Sequence, residues 1–207
     1  MLSKIKPFSI LSNFKKKKVI FFFNDLSLTG APIIFNNYLE ESLKSDSFKV
    51  FVCSRYGGEL NIKSSDCLVI RKKIRKSKFG KLISKVSDLI NVLKILIKTK
   101  PDLIVTNTYI NSIPIFAGKI LNHKTVCLVH ENLGAKIKYL SIRRLIINSA
   151  DIIITISQAS SQFCVMNGAS LKKIKKITNG ININKLAIKK PQNNKPAYTL
   201  GALANWS

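Results

Sequence analysis

The residues best placed to do chemistry follow the short apolar runs of the chain. The stretch NDLSLTGAPI, residues 24–33, comes directly after one such run and places Gly30 where a helix would begin. Thr29 can cap that helix, and Pro32 suits its first turn, where the missing N–H does no harm. The free N–H groups of Gly30 and Ala31 would favour an anion such as a diphosphate. The stretch alone leaves two interpretations open, an anion-binding loop and an ordinary turn.

Two more specific phosphate motifs are missing from this stretch. A dinucleotide fingerprint would need two further glycines in the spacing GxGxxG, and a nucleotide P-loop would need GK followed by Ser or Thr. The glycine-containing junction therefore indicates a phosphate contact only together with other residues.

Polar side chains also follow two later apolar runs. Asn107 and Tyr109 stand in TNTYIN, and His130 and Glu131 stand in CLVHENLG. A histidine beside a carboxylate can hydrogen-bond sugar hydroxyls or stabilise developing charge, and its pKa is easily tuned. A lone histidine is just as often structural, so both roles stay open for His130 from the residues alone.

Further along, the pattern predicts a helix cap and a turn. Ser157 in TISQASSQF stands at a helix N-cap position, and Asn179 with Gly180 in ITNGIN form a turn. Individually these are capping and turn devices. Their order along the chain carries more information than any one of them.

Short apolar runs alternate with longer amphipathic ones, which predicts an α/β fold with a Rossmann-like, doubly wound parallel sheet. Ligands bind at the carboxyl ends of the strands in such sheets, so the residues above are predicted to line one edge. A long helix is predicted over residues 78–98, stopped by Pro101. The predicted strands are residues 19–23, 49–53, 68–71, 103–106, 125–130, 152–156 and 175–178.

The formal net charge of +25 suggests a polyanionic partner. Only 5 of the 35 basic residues are Arg, however, and the basic runs at residues 15–18, 71–78 and 172–176 contain no aromatic side chain. Solvated lysine-rich faces explain these runs most simply. An anionic membrane surface is the second interpretation, and specific nucleic-acid binding is disfavoured.

The cysteines and the apolar segments bear on localisation. Cys53, Cys67, Cys127 and Cys164 lack metal-ligand spacing and are interpreted as reduced core residues of a cytoplasmic protein. No run of 18 apolar residues predicts a membrane span, and the start of the chain lacks signal-peptide features. We predict no metal site.

The composition divides the chain into four parts. Residues 1–14 are predicted to be an N-terminal tail, and residues 15–184 one Rossmann-like domain. Residues 185–197 are polar, contain two prolines and are predicted to be a linker. Residues 198–207 look like the first strand of a second domain.

Taken in order, these segments resemble glycosyltransferase family 4, whose members have the two-domain GT-B fold. NDLSLTGAP resembles the family's glycine loop, PDLIVTNTYINSIP its fourth-strand segment and LVHENLG its strand-end His-Glu. SADIIITISQASSQF is similar to the family's sixth strand and following helix, and KITNGININ to the turn that closes the N-terminal domain. LGALANWS resembles the opening strand of the donor-binding domain.

This resemblance implies a retaining sugar transfer that needs no metal or other cofactor, with a nucleotide sugar as donor. It implies that Gly30 and Ala31 face the donor phosphates and that His130 contacts the transferred sugar as the catalytic residue. Asn107, Tyr109, Glu131, Ser157, Asn179 and Gly180 join Gly30 and Ala31 as candidate substrate-binding residues. Asn24 stands where many relatives have His, and residues 182–184 replace the usual acidic end of the turn.

The expected function is therefore the acceptor-side part of a glycosyltransferase that acts on a glycan or lipid-linked acceptor in cell-surface polysaccharide biosynthesis. The family's second domain does not follow residue 207, so a truncated product, inactive alone, or completion by a second chain is expected. The expected location is the cytoplasm, with peripheral contact at the inner membrane face. The alternative is a non-catalytic basic module that binds an anionic membrane or a partner protein.

Overall fold

Seven short apolar runs form one parallel sheet, in the strand order β3-β2-β1-β4-β5-β6-β7. The computed structural model describes residues 16–62, 67–71, 78–108, 110–130, 145–146 and 148–180. Every strand pair in the sheet is parallel. The strands are β1 (Lys17–Phe23), β2 (Phe48–Tyr56), β3 (Cys67–Arg71), β4 (Leu103–Asn107), β5 (Lys124–Val129), β6 (Ile152–Thr155) and β7 (Ile174–Lys176).

Helices pack on both faces of the sheet, because its strands are apolar on both sides. The helices are α1 (Gly30–Lys44), α2 (Lys78–Thr99), α3 (Ile113–Ile120) and α4 (Gln158–Met166). A 3₁₀ turn, Leu171–Lys173, leads into β7. Helix α1 shares a core with one face of β1, β4 and β5, whereas α2 and α3 share a core with the opposite face of β1 and β4. Helix α4 packs on that opposite face against β5 and β6.

Helix α1 is anchored to the central strand by aromatic packing. The Phe35 ring lies 5.3 Å from that of Phe21 and 4.6 Å from that of Phe23, between ring centroids. Phe23 and Phe35 are fully buried. Aromatic pairs of this geometry add to the large apolar area that each ring buries. This packing fixes where the first helix begins, just beyond the carboxyl end of β1.

Two aspartates hold neighbouring strands in register at the opposite, amino edge of the sheet. Asp102 precedes β4, accepts the Lys18 N–H through Oδ2 at 2.8 Å, and donates its own N–H to the Lys18 carbonyl at 2.8 Å. Asp151 precedes β6 and makes the same pair of bonds with Thr125 of β5, at 2.8 and 3.0 Å. Asp151 also accepts from the Thr125 hydroxyl at 3.1 Å and from Lys119 Nζ at 2.8 Å.

These bonds control the ionisation of Asp151. Partial burial alone would raise the pKa of its carboxyl, but the hydrogen bonds from Lys119 and Thr125 outweigh burial and hold the pKa below its ordinary value of 3.8. The ionised form of Asp151 is therefore part of the folded structure.

A second ion pair joins the sheet to α2. Arg55 Nε of β2 lies 3.0 Å from Asp88 Oδ2, and the two side chains are 14% and 1% exposed. Removing one partner of a buried pair is far more costly than replacing both, because a buried charge is left without its counter-ion. The pair therefore fixes the position of the long helix against β2.

The structure confirms the predicted fold class, with a parallel sheet and a long helix that ends at Thr99. All seven predicted strands are present, with shifted ends. β2 continues to Tyr56, β7 runs earlier than expected, and β5 ends at Val129, so His130 lies just beyond the strand rather than within it.

Other predictions concern the cysteines, the membrane and the chain ends. Cys53, Cys127 and Cys164 are buried thiols, as expected. None of the helices in the described ranges is both long enough and apolar enough to cross a bilayer. The predicted tail, residues 1–14, the linker, residues 185–197, and the second-domain strand, residues 198–207, lie outside the described residues.

We expect Asp151→Asn to destabilise the protein by about 1–2 kcal/mol at pH 7, because it removes the charged acceptor from three hydrogen bonds. On acidification the unfolded chain binds the proton first. The stabilisation by Asp151 is therefore complete above pH 3.8 and is lost as the pH falls through the lower folded pKa. Urea unfolding at pH 7 and near pH 3 measures both effects.

The control is Asp46→Asn, because Asp46 is fully exposed and lies 3.5 Å from Lys16. Equal destabilisation by the two substitutions would show that the contacts of Asp151 contribute nothing specific.

Candidate functional site

The carboxyl ends of the strands form one edge of the sheet and bring the predicted site residues together. Asn107 is the last residue of β4, His130 follows β5, and Asn24 follows β1. β4 lies between β1 and β5, and neighbouring strands are about 4.8 Å apart. Gly30 opens α1 at the same edge, because α1 starts from the loop that leaves β1. The predicted residues thus share one edge of the sheet, and their contacts with a ligand stay a prediction.

The start of α1 differs from the prediction in one detail. Thr29 occupies the N-cap position with extended backbone, but its side chain does not cap the helix. Its hydroxyl lies instead 2.8 Å from the Ser27 hydroxyl. The first N–H groups of any helix lack intrahelical partners, so those of Gly30 and Ala31 are available to an anion.

Gly30 itself is exposed, and a methyl group added there would meet no atom within 4 Å. Glycine at this position is therefore not required by the packing of the described residues. Its predicted role, close approach of a ligand, remains a prediction.

Packing at this edge of the sheet does require a glycine at Gly58, which the sequence analysis did not single out. A methyl group on Gly58 would overlap the Leu26 carbonyl. The same carbonyl accepts the Leu60 N–H at 2.7 Å, and the Asn24 carbonyl accepts the Tyr56 N–H at 3.1 Å. The loop after β2 thus supports the loop after β1. The consecutive glycines at 57 and 58 were the available signal.

Side chains at the end of β4 and just after it form hydrogen bonds with the backbone at the carboxyl end of β1. Asn107 Oδ1 accepts the Asn24 N–H at 2.8 Å, and Asn111 Nδ2 donates to the Phe22 carbonyl at 3.1 Å. Both asparagines are buried, with Asn107 fully inaccessible. The backbone at the carboxyl end of β1 is therefore held by one amide at the end of β4 and one in the loop that follows.

The residue that follows Asn107 is strained. Thr108 has φ of 63°, in the left-handed region, although it is β-branched. Its hydroxyl is buried and has no hydrogen-bond partner among the described residues. Strained backbone and unsatisfied buried polar groups are concentrated at functional sites in proteins.

His130 is half-buried at this edge. Burial lowers the pKa of its imidazole below the ordinary value of 6.5. At neutral pH the side chain is therefore uncharged and acts as a hydrogen-bonding group rather than as a cation.

The remaining predicted site residues lie toward the β7 side of the edge. Ser157 caps α4, as predicted, by accepting the Ser160 N–H at 3.1 Å, so its oxygen already has a structural partner. Asn179 and Gly180 follow β7. The Asn179 Oδ1 atom is buried and without a hydrogen-bond partner in the part of the chain that the structure describes.

Two predicted site residues, Tyr109 and Glu131, lie outside the described residues. The described ranges contain no group of three His, Cys, Asp or Glu side chains arranged to hold a metal ion. Neither point tests the predicted contacts with substrate.

An apolar pocket of about 450 Å³ lies beside α1 on one face of the sheet. It is lined mainly by hydrocarbon, including Phe35, Val105 and Leu128. Its polar lining side chains are Tyr38, Glu41 and Ser42, which include no cation for the diphosphate of a nucleotide sugar. The strand edge is therefore the better candidate for substrate binding.

The first basic run lies away from this edge. Lys17 and Lys18 begin β1, at the amino edge of the sheet. Lys16 contacts Asp46 at 3.5 Å, Lys17 contacts Asp102 at 3.9 Å, and Lys18 Nζ donates to the Thr99 carbonyl at 3.3 Å. Part of the positive charge is thus compensated locally.

Comparison with known protein families gives a match over residues 37–185 to the family described as Glycosyltransferase Family 4. The chain belongs to glycosyltransferase family 4. The match covers the second half of α1, β2 to β7 and the turn after β7, so it contains Asn107, His130 and Asn179 but not Gly30.

Solved structures share the fold. A lipopolysaccharide outer core galactosyltransferase, WaaB, in its apo form, aligns with a TM-score of 0.62 at 15% identity and covers 87% of this chain and 50% of its own. HepE from Anabaena, in complex with UDP and glucose, gives 0.58 at 19%, covering 81% and 46%. The UDP-GlcNAc 2-epimerase from Neisseria meningitidis, bound to UDP-GlcNAc, gives 0.57 at 14%, covering 78% and 46%.

The chain spans about half the length of these proteins. At such low identity the likeness establishes the fold, a Rossmann-like half of the GT-B type. No curated protein sequence matches the chain significantly.

We expect Gly58→Ala to lower the stability by about 1–3 kcal/mol, because the added methyl group overlaps backbone that two hydrogen bonds hold in place. Gly30→Ala is the matched comparison. It should leave the stability unchanged or raise it by about 0.5–1 kcal/mol, since the added methyl group has open space at the start of a helix. Thermal unfolding of the two variants measures the difference, and a larger loss from Gly30→Ala would contradict the assignment.

We expect acid to destabilise the protein partly through His130. Because its folded pKa is lowered, the unfolded chain binds the proton first, and the stability falls as the pH falls below 6.5 toward the folded pKa. His130→Gln should remove this part of the stability loss on acidification. The loss is measured as the change in the urea midpoint of unfolding between pH 7.5 and pH 5.5. His123→Gln is the control, and the assignment fails if the variants at 123 and 130 lose the same share of the pH dependence.

Proposed function

We propose that this chain forms the acceptor-side part of a retaining glycosyltransferase, which moves a sugar from a nucleotide sugar to a glycan or lipid-linked acceptor. Membership in glycosyltransferase family 4 supports the reaction class. The observation that carries the proposal to particular residues is the alignment of the α1 start, Asn107 and His130 at one edge of the sheet. Cell-surface polysaccharide is the acceptor class that we propose.

The α1 start is suited to the negatively charged part of the donor. The N–H groups of Gly30 and Ala31 have the positive end of the helix dipole behind them, and no acidic residue occupies the first turn of α1. Such an interaction contributes about 1 kcal/mol when exposed. Millimolar affinity requires about 4 kcal/mol, so this loop alone cannot hold a nucleotide sugar.

His130 is suited to the sugar rather than to the phosphates. A neutral imidazole can donate a hydrogen bond to a sugar hydroxyl and accept one from another, which a cation cannot do. Burial keeps the imidazole neutral at working pH. We propose that His130 orients the transferred sugar and stabilises charge that develops as the bond to the diphosphate breaks.

Completion of the site requires a second domain on the donor side. The solved structures of the same fold are about twice as long as this chain. HepE and the Neisseria epimerase hold their nucleotide ligands in chains of that length. We propose that nucleotide contacts come from a domain that follows on the same polypeptide or is supplied by a second chain.

The alternative of a basic module that binds an anionic membrane receives less support. Lys16, Lys17 and Lys18 each have a local partner, and they lie at the edge of the sheet opposite the candidate site. We propose a cytoplasmic location, in keeping with the buried thiols of Cys53, Cys127 and Cys164.

The test is transfer of label from a panel of nucleotide sugars to glycan acceptors, with and without donor-domain polypeptides encoded near the gene. We expect background transfer from the chain alone, with donor affinity weaker than millimolar in calorimetry, and measurable transfer once a donor domain is present. His130→Ala should then lower kcat by about 100-fold or more with a smaller effect on donor affinity.

His123→Ala is the control, because His123 precedes β5 at the opposite edge of the sheet. Background transfer in every combination, together with salt-sensitive binding to anionic vesicles but not to neutral ones, would favour the membrane module. Micromolar donor binding by this chain alone would place the donor site in the half described above.

A further inference from the structure

Two asparagines at the ligand edge carry polar atoms that nothing in the described part of the chain satisfies. Asn24 Oδ1 and Asn107 Nδ2 are both shielded from solvent and both lack a hydrogen-bond partner there. A buried polar atom without a partner costs roughly 1–3 kcal/mol. Native proteins retain few such atoms, and those that remain often face a ligand or an ordered water molecule.

The remaining hydrogen bonds define the orientation of both side-chain amides. Asn107 Oδ1 accepts the Asn24 N–H at 2.8 Å. If the oxygen and nitrogen of the Asn107 side chain were exchanged, two donors would face each other. Asn24 Nδ2 donates to Asp25 Oδ2 at 2.8 Å, so an exchanged amide would set two acceptors against each other. The atoms left over are therefore one acceptor, on Asn24, and one donor, on Asn107.

The two atoms belong to residues that the bond from the Asn24 N–H to Asn107 Oδ1 joins at 2.8 Å. One acceptor and one donor on such joined residues match a hydroxyl group, which can donate and accept at the same time. We propose that Asn24 and Asn107 together bind one neutral hydroxyl group of the acceptor sugar, which donates to Asn24 Oδ1 and accepts from Asn107 Nδ2. This inference rests on the proposed function, since it names a contact of the acceptor at the same edge of the sheet.

The surroundings of the pair exclude charged groups. A phosphate offers only acceptors and would face both Asn24 Oδ1 and the Asp25 carboxylate. An ammonium group offers only donors and could not accept from Asn107 Nδ2. The diphosphate of a donor is thus directed to the α1 start, and a neutral hydroxyl to the asparagine pair.

The pair is also held rigidly, which reduces the entropy lost on binding. Asp25 Oδ1 accepts from the Ser27 N–H at 3.1 Å and from the Ser27 hydroxyl at 2.6 Å. On the other side, Asn111 ties the loop after β4 to the end of β1. The orientations of the Asn24 and Asn107 amides are therefore set before the hydroxyl group arrives, and only the groups that cover the two atoms have to move.

The experiment uses the chain labelled with ¹⁵N in the asparagine side chains, so that NMR follows each amide group. The probes are the methyl α-glycosides of glucose, galactose and mannose, with inorganic sulfate at matched ionic strength as the acceptor-only probe. We expect at least one glycoside to shift the side-chain signals of Asn24 and Asn107 in a saturable way, and sulfate to leave them unchanged.

Substitution of the free donor tests the assignment. Asn107→Asp keeps an oxygen to accept the Asn24 N–H and replaces the free donor by an acceptor, so glycoside binding should weaken about tenfold. Asn36→Ala is the matched control, because Asn36 is also buried with an unsatisfied Oδ1 but lies within α1. Its glycoside binding should be unchanged. Thermal unfolding verifies that both variants fold. If Asn107→Asp does not fold, the glycoside-induced NMR shifts in the unsubstituted chain decide whether the inference holds.

Several results would overturn the inference. These are the absence of shifts with all three glycosides, equal shifts with sulfate, and equal weakening by Asn36→Ala. If the two atoms hold a water molecule that the glycosides never displace, none of the three glycosides would shift the signals. The proposed function fails separately: glycoside binding without transfer in the presence of a donor domain would contradict that function alone. Transfer with an unchanged acceptor KM in Asn107→Asp would contradict this inference alone.

Discussion

The parallel alignment of all seven strands is the constraint on which the candidate site depends. Because every strand runs in the same direction, residues that are far apart in the chain, such as Asn24, Asn107 and His130, reach the same edge. The alignment is secured at the other edge, where Asp102 and Asp151 each bind both backbone groups of a residue in the neighbouring strand. A slip of one residue between β1 and β4 would break the Asp102 bonds and would at the same time separate Asn107 from Asn24. Register and site geometry are therefore coupled through β4.

The packing beneath the edge explains why the polar groups can remain rigid. Phe21, Phe23 and Phe35 fill the space under the β1–α1 loop, and Gly58 lets a second loop support it from the side. A loop held on two sides can keep polar atoms such as Asn24 Oδ1 in place without satisfying them. The free-energy cost of leaving these polar atoms unsatisfied is offset by the apolar core beneath the loop, which has no polar function of its own.

Much of the fold, and part of the site, follows from local sequence patterns. Near-continuous apolar runs such as that of β1 predict buried parallel strands, and the residues just beyond them predict the ligand edge. Asn107 and His130 could be found in this way because each follows its strand directly. For Gly58 the sequence offers only the pair of glycines at 57 and 58, because the packing requirement itself arises from the Leu26 carbonyl, more than thirty residues earlier in the chain. The Thr29 side chain was wrongly expected to cap α1, since the neighbouring Ser27 hydroxyl competes for its oxygen. The atoms of Asn24 and Asn107 that lack a hydrogen-bond partner result from a tertiary hydrogen bond and have no sequence signature.

The chemistry along the edge changes in a definite order. At the start of α1, backbone N–H groups favour negative charge; at Asn24 and Asn107 the free groups match a neutral hydroxyl; at His130 a neutral imidazole can both donate and accept. In the proposed function, the donor diphosphate, the acceptor hydroxyl and the transferred sugar would occupy these three positions in turn. The Asp25 carboxylate would repel the diphosphate from the asparagine pair, while its bonds to Asn24 and Ser27 hold that pair in position. An acceptor hydroxyl at Asn24 would therefore lie beside the donor phosphates without competing for their contacts, which is the arrangement that sugar transfer between two bound substrates requires.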